Sequence, residues 1–156
     1  MLEIEIQGYN NYQLEHAVFD YNGTLAKDGF INEKIKKQLQ ELNNVLKVHI
    51  LTADTFGRVT QELGKFPFNI HILTAGNEQE QKKEFVENLN PKSVIAFGNG
   101  NNDILMLKIC ALGIGVIGKE GMSSNVLSNA DIIVNDIENG IDLLFNPKRI
   151  KATLRK

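Results

Sequence analysis

The sequence is short of several things, and each shortage removes a class of protein. It has one cysteine, Cys110, so no disulfide can form within the chain. That fits a reducing compartment, and a cytoplasmic setting is expected. No apolar run approaches the roughly 20 residues needed to span a bilayer, so no membrane partner is expected. The opening "MLEIEIQGYN" lacks the basic and then apolar layout of a signal peptide. There is no excess of positive charge: the formal net charge is −2, which argues against a nucleic-acid partner. Internal repeats and low-complexity linkers are absent as well. What remains is 156 residues, 42% hydrophobic and 23% charged, enough for one globular domain over 1–156 with a real core.

Apolar periodicity then divides the chain. "LEIEIQ" (2–7) alternates as a half-buried strand does, and "GYNN" (8–11) is a turn. "LEHAVF" (14–19) is expected to pair with 2–7 as an N-terminal β-hairpin and to continue into the interior of a sheet. Further strands are expected at 45–51, 68–73, 93–97, 113–117 and 131–134. Helices are expected at 31–43, at 55–63 with Phe56, Val59 and Leu63 inward, at 77–89, at about 101–110, and at 136–146 with Ile137, Ile141, Leu144 and Phe145 inward. Strands alternating with helices predict an α/β fold, a three-layer Rossmann-like parallel sheet. Ligands of such sheets bind beyond the carboxyl ends of the strands.

Those ends carry polar groups. "HAVF" runs into Asp20, Tyr21, Asn22, Gly23 and Thr24; "VHIL" into Thr52, Ala53 and Asp54; "VIAF" into "GNGNND", residues 98–103. Lys82 and Lys83 stand near the start of the helix before the fifth strand. These are parts that phosphoryl transfer needs: an anionic oxygen nucleophile, a hard cation, and donors for the equatorial oxygens. Asp20 can attack, Asp103 can hold Mg²⁺, and Thr52, Lys82 and the turn amides around Gly23 can hold phosphate.

"FDYNGTL", "HILT", "QKKEFVENL" and "GNGNNDILML" resemble, in order and spacing, the four motifs of the haloacid dehalogenase superfamily. The stretch from "KKEFVENL" to "ADIIV" looks most like the phosphorylation domain of P-type ATPases and their small soluble relatives. The resemblance implies an Mg²⁺-dependent phosphohydrolase acting through an aspartyl phosphate on Asp20. It implies catalytic roles for Asp20, Asn22, Thr52 and Lys82. Gly23, Thr52, Ala53, Lys82 and Asn102 would hold phosphate, and Asp20, Asn22, Asn99 and Asp103 the metal. Lys83 stands in if the helix is turned by one residue.

Two positions depart from the pattern. Asn22 stands where phosphatases of the superfamily carry a general acid/base aspartate, and Asn99 where the fourth motif usually has an acid. A missing general acid costs about 10²–10⁴ in rate, most for leaving groups of high pKa. Slow turnover, or selectivity for good leaving groups, is therefore expected. The gaps from Asp20 to Thr52 (32 positions) and from Thr52 to Lys82 (30) are too short for a cap domain. An open site of this kind suits a small phosphorylated substrate covered by a second copy in a homo-oligomer, or a phosphoprotein.

Simpler roles exist for the same residues. Asp20 suits a turn and Thr52 the N-cap of the next helix. Asp103 suits a first helical turn, and Asp54 reads as a capping acid. His16, His49 and His71 lie on separate strands without metal-ligand spacing and read as structural. "GIGVIG" (113–118) is a literal dinucleotide fingerprint, but it forms a strand instead of following one, so it is set aside. The alternative to an enzyme is a degenerate domain that binds phosphate or a protein partner.

Overall fold

The computed structural model describes residues 1–54 and 57–156. Helix α1 (Glu33–Leu42) starts where Asn32 accepts a hydrogen bond from the Lys34 amide at 2.7 Å, an ordinary N-cap. Strands β3 (His16–Asp20), β4 (Lys47–Thr52), β5 (Asn69–Ile72), β6 (Val94–Gly98), β7 (Leu112–Val116) and β8 (Ile132–Val134) form one parallel sheet in the order β5-β4-β3-β6-β7-β8. From β3 the chain adds β4 and β5 on one side and then crosses back to add β6, β7 and β8 on the other, so the order reverses between β3 and β6. Such a switch point opens a crevice at the carboxyl edge.

Strand alternation sorts the core into two layers. Ala17, Phe19, Val48, Ile50, Ile95 and Phe97 face one side, where they pack with α1, α2 (Arg58–Leu63), α5 (Ile137–Phe145) and α6 (Pro147–Leu154). Val18, Leu51, Val94 and Ala96 face the other, against α3 (Glu78–Asn88) and α4 (Ile104–Ile109). Asp20 shares the parity of Val18, so its carboxylate points to the α3 side.

The fold class and the order of elements agree with expectation; several details do not. The hairpin pairs β1 (Leu2–Glu5) with β2 (Asn11–Leu14) as a separate two-stranded sheet. The chain leaves β2 at Glu15 and begins the large sheet at His16, so 14–19 is not one strand. Helix α2 begins at Arg58 rather than 55, and the inward placement of Phe56 lies outside the described residues. Residues 101–110 divide into a 3₁₀ turn (Asn101–Asp103) and α4. Phe145, expected inward, is 37% exposed at the last turn of α5. One helix lies beyond the expected elements, the last of which ends at 146: Pro147, at a first helical position, starts α6, whose Ile150 is fully buried.

Candidate active site

Phe19 stacks on Phe97 at a centroid distance of 4.5 Å, fixing β3 against β6 just short of their polar ends. Beyond that pair the two strands deliver Asp20 and the Gly98–Asp103 turn. Lys82 reaches them from α3. Its Nζ donates to Asp20 Oδ1 and to Asp103 Oδ1, both at 2.7 Å, and the side chain is 1% exposed. The two carboxylate oxygens are thus no farther apart than twice that distance. Lys83 points elsewhere, to Glu80 and Glu87 at 3.7 Å, and the rotated-helix alternative drops out.

Each carboxylate has further partners. Thr24 donates its hydroxyl to Asp20 Oδ2 at 2.9 Å. Asp103 Oδ2 accepts the backbone amides of Asn99 and Gly100, each at 2.9 Å. Gly98 makes room for this: a Cβ there would meet Asp103 Cβ and Cγ at 2.5 Å. Gly23 does the same for Asn99, whose amide nitrogen would lie 2.5 Å from an added Cβ, and its φ of +81° also favours glycine.

The cluster holds two acids and one base. Burial raises the Asp20 pKa to about 7; the Asp103 carboxylate adds to the rise, and Lys82 and Thr24 oppose it. Burial pulls Lys82 down, but the Asp20 and Asp103 carboxylates outweigh it and hold the ammonium above its ordinary range.

Thr52 is buried at the end of β4. Its hydroxyl accepts the Asp54 amide at 3.1 Å, which leaves its hydrogen for donation. It is not a helix N-cap, because α2 begins six residues later after Gly57. Asp54 does cap that helix, accepting the Val59 amide at 2.9 Å from outside the helix. Ala53 is half-buried beside Thr52.

Four expected ligands have other partners or positions. The Gly23 amide donates to the Ala26 carbonyl at 2.9 Å and closes the turn, so it is not a free phosphate donor. The Asn102 side-chain amide donates to Glu78 at 2.9 Å, because a carboxylate opening α3 stands within its reach. Asn99 is held through its side chain by Thr24 at 3.2 Å and by the Gly121 carbonyl at 3.0 Å. Asn22 is exposed on the loop after β3, where it bridges Ala26. Thr24 was passed over as a site residue; the hydroxyl four residues after Asp20 was the available signal. The hold of Glu78 on Asn102 had no signal in the sequence.

The three histidines lie on separate strands, as expected, and side by side. His16 Nδ1 and His49 Nε2 lie 3.0 Å apart across β3 and β4, and His71 on β5 is 6.0 Å from His49 by ring centroids. Among the described residues no group of three or more histidine, cysteine, aspartate or glutamate side chains is arranged to hold a metal ion. No helix among them is long and apolar enough to cross a membrane.

Residues 81–141 match the family model for haloacid dehalogenase-like hydrolases. The chain is also 50% identical to the uncharacterized protein MJ0073 of Methanocaldococcus jannaschii over 84 residues, which make up 51% of this chain and 90% of that protein. The chain belongs to the haloacid dehalogenase-like hydrolase family. Among solved structures it is similar to the cobalt-bound deoxy-D-mannose-octulosonate 8-phosphate phosphatase of Haemophilus influenzae: the TM-score is 0.72 at 10% identity, covering 92% of this chain and 94% of that one. The 3-deoxy-D-manno-octulosonate 8-phosphate phosphatase of Moraxella catarrhalis, solved with magnesium, phosphate and KDO, gives a TM-score of 0.66 at 16% identity over 89% and 90%. At these identities the likeness establishes the hydrolase fold. The family match spans Lys82 and the Gly98–Asp103 turn, while Asp20 and Thr52 lie before it.

Proposed function

We propose that this hydrolase is a phosphohydrolase that passes through an aspartyl phosphate on Asp20 and depends on Mg²⁺. The observation that carries the reading is the buried Lys82 ammonium, bonded at 2.7 Å to both Asp20 and Asp103 at the sheet's switch point. A lysine buried between two acids from distant parts of the chain has a role that a turn or a cap does not require.

The donor set fits a hard divalent cation. With both acids ionised, two carboxylates against one ammonium leave one negative charge buried, and the carboxylates offer the oxygen donors such an ion takes. Asp20, Asp103 and the Asn22 carbonyl would hold the ion, with Asn99 oxygen as a further donor once it gives up Thr24. When bound, Mg²⁺ supplies the charge that offsets repulsion between the Asp20 carboxylate and the phosphate.

An Asp20 oxygen attacks phosphorus, and the bond to the leaving oxygen breaks with its electron pair. Lys82 and the Thr52 hydroxyl hold the equatorial oxygens, where charge is spread. Water then attacks the aspartyl phosphate, releases inorganic phosphate and restores Asp20. Asn22 supplies no proton to the leaving oxygen, so esters of poor leaving groups react slowly. Pump-type members of the superfamily, which the sequence resembles, also lack an acid there.

Hydrolysis of nitrophenyl phosphate with Mg²⁺, and with the ion chelated, tests this. Turnover that requires the ion and disappears in Asp20→Asn supports the reading. No turnover, with no beryllofluoride binding to the wild type, favours the degenerate binding domain.

A further inference from the structure

We propose that a cavity beside the Asp20 loop receives the leaving group of an aromatic phosphate monoester, a specificity that rests on the phosphohydrolase reading above. The cavity measures about 370 Å³, within the usual range for small-molecule sites. It lies between the loop after β3, the loop after β7 and the first turn of α5. All three belong to the carboxyl edge of the sheet, the edge that carries Asp20.

The cavity and the reacting group share a wall. Thr24 lines the cavity and donates its hydroxyl to Asp20 Oδ2 at 2.9 Å. Gly23 lines it too, and its carbonyl lies 3.2 Å from where a Cβ on Gly118 would stand. The two loops therefore approach each other there with no side chain between them.

The floor is apolar. Leu25, Ile31, Ile35 and Ile137 line it, each at most 7% exposed. Of the three acids on its rim, Glu120 is exposed to solvent and the two beside the floor are engaged. Glu138 pairs with Lys34 at 2.6 Å, and Asp136 accepts both the backbone and the side-chain N–H of Asn139 at 2.8 Å. A polyol placed on this floor would leave hydroxyls without partners, which is costly; a ring would not.

The missing acid points to the same ligand from another direction. Asn22 cannot protonate a departing oxygen, so the oxygen must leave as a tolerable anion. A phenol, with a pKa of about 10 as in tyrosine, does so far more readily than an alkyl alcohol. The step balances without an added reagent: Asp20 oxygen bonds to phosphorus, the phosphorus–aryl oxygen bond breaks, and the aryloxide takes its proton from water.

Two measurements on the intact protein test the assignment. The first is methyl NMR of the wild type with 1-naphthol, the dephosphorylated product. The Ile31, Ile35 and Ile137 methyls are expected to shift, and the absence of any shift there overturns the proposal. The second compares kcat/KM for 1-naphthyl phosphate and acetyl phosphate in the wild type and in Ile35→Trp, which fills the floor. The naphthyl-to-acetyl ratio is expected to fall about tenfold or more, through KM. An unchanged ratio in folded Ile35→Trp overturns the pocket. Failure of the wild type to hydrolyse acetyl phosphate instead overturns the phosphohydrolase reading, and the naphthol titration still judges the cavity on its own.

Discussion

Lys82 decides most at the scale of single residues. It is the only cation bonded to both buried acids among the described residues, and removing it leaves two carboxylates facing each other. Breaking a buried ion pair from one side costs about 3–5 kcal/mol, so Lys82→Met should unfold at a much lower urea concentration, with added Mg²⁺ recovering part of the loss. Asp20 sets a pH dependence of opposite sign to the usual carboxylate. Its pKa is raised to about 7 by burial first and the Asp103 charge second. Between about pH 4 and 7 the folded state keeps a proton that the unfolded chain has lost. Stability is therefore fully present below the unfolded pKa and declines as pH rises through 7. In metal-free protein, Asp20→Asn should remove that decline, seen as urea midpoints that no longer fall between pH 5 and pH 8. Asn22→Asp should raise alkyl phosphate hydrolysis by about tenfold or more, the lower end of what a general acid contributes. An unchanged rate would mean that residue 22 does not reach the leaving oxygen.

Elements explain what was and was not legible beforehand. The apolar runs ending in Asp20, Thr52 and Gly98 could be read directly, because a strand buried on both faces leaves few other patterns. The side of the sheet that Asp20 faces follows from counting alternate residues. Contacts between elements could not be read. Glu78 opens α3 and captures Asn102, and the Gly23 amide turns inward to Ala26; both depend on distances that sequence spacing does not encode. Helix α6 was missed because Pro147 looks like a stop signal when it is a start. The proximity of the histidines was not legible for a related reason. Positions 16, 49 and 71 are far apart in sequence, and only the register of β3, β4 and β5 brings them side by side. Burial first, then His16, His71 and Lys47, lowers the His49 pKa to about 4, and its Nδ1 is buried with no hydrogen-bond partner among the described residues. Below about pH 6.5 the unfolded chain binds protons that this site refuses, so stability falls with acidity towards pH 4. His49→Phe, placed against Phe85, should flatten that acid limb in thermal melts taken at pH 5 and pH 7.

For the whole molecule, the sheet brings one nucleophile candidate, one lysine and one distant acid to the crevice where strand order reverses, with a layer of core packed on each face of the sheet. The stretches between Asp20 and Thr52 and between Thr52 and Lys82 are used up by α1, β4, α2, β5 and their connections. The Asp20 loop and the loop after β7 approach each other closely at Gly23 and Gly118. The central claim, that Asp20 carries the phosphoryl group, is tested most directly by acid-quenching the protein during turnover of acetyl phosphate with Mg²⁺ and mapping phosphorylation by peptide mass spectrometry. The account predicts a phosphoryl group on Asp20, absent from Asp20→Asn. A phosphoryl group on any other residue, or turnover that survives in Asp20→Asn, would contradict it.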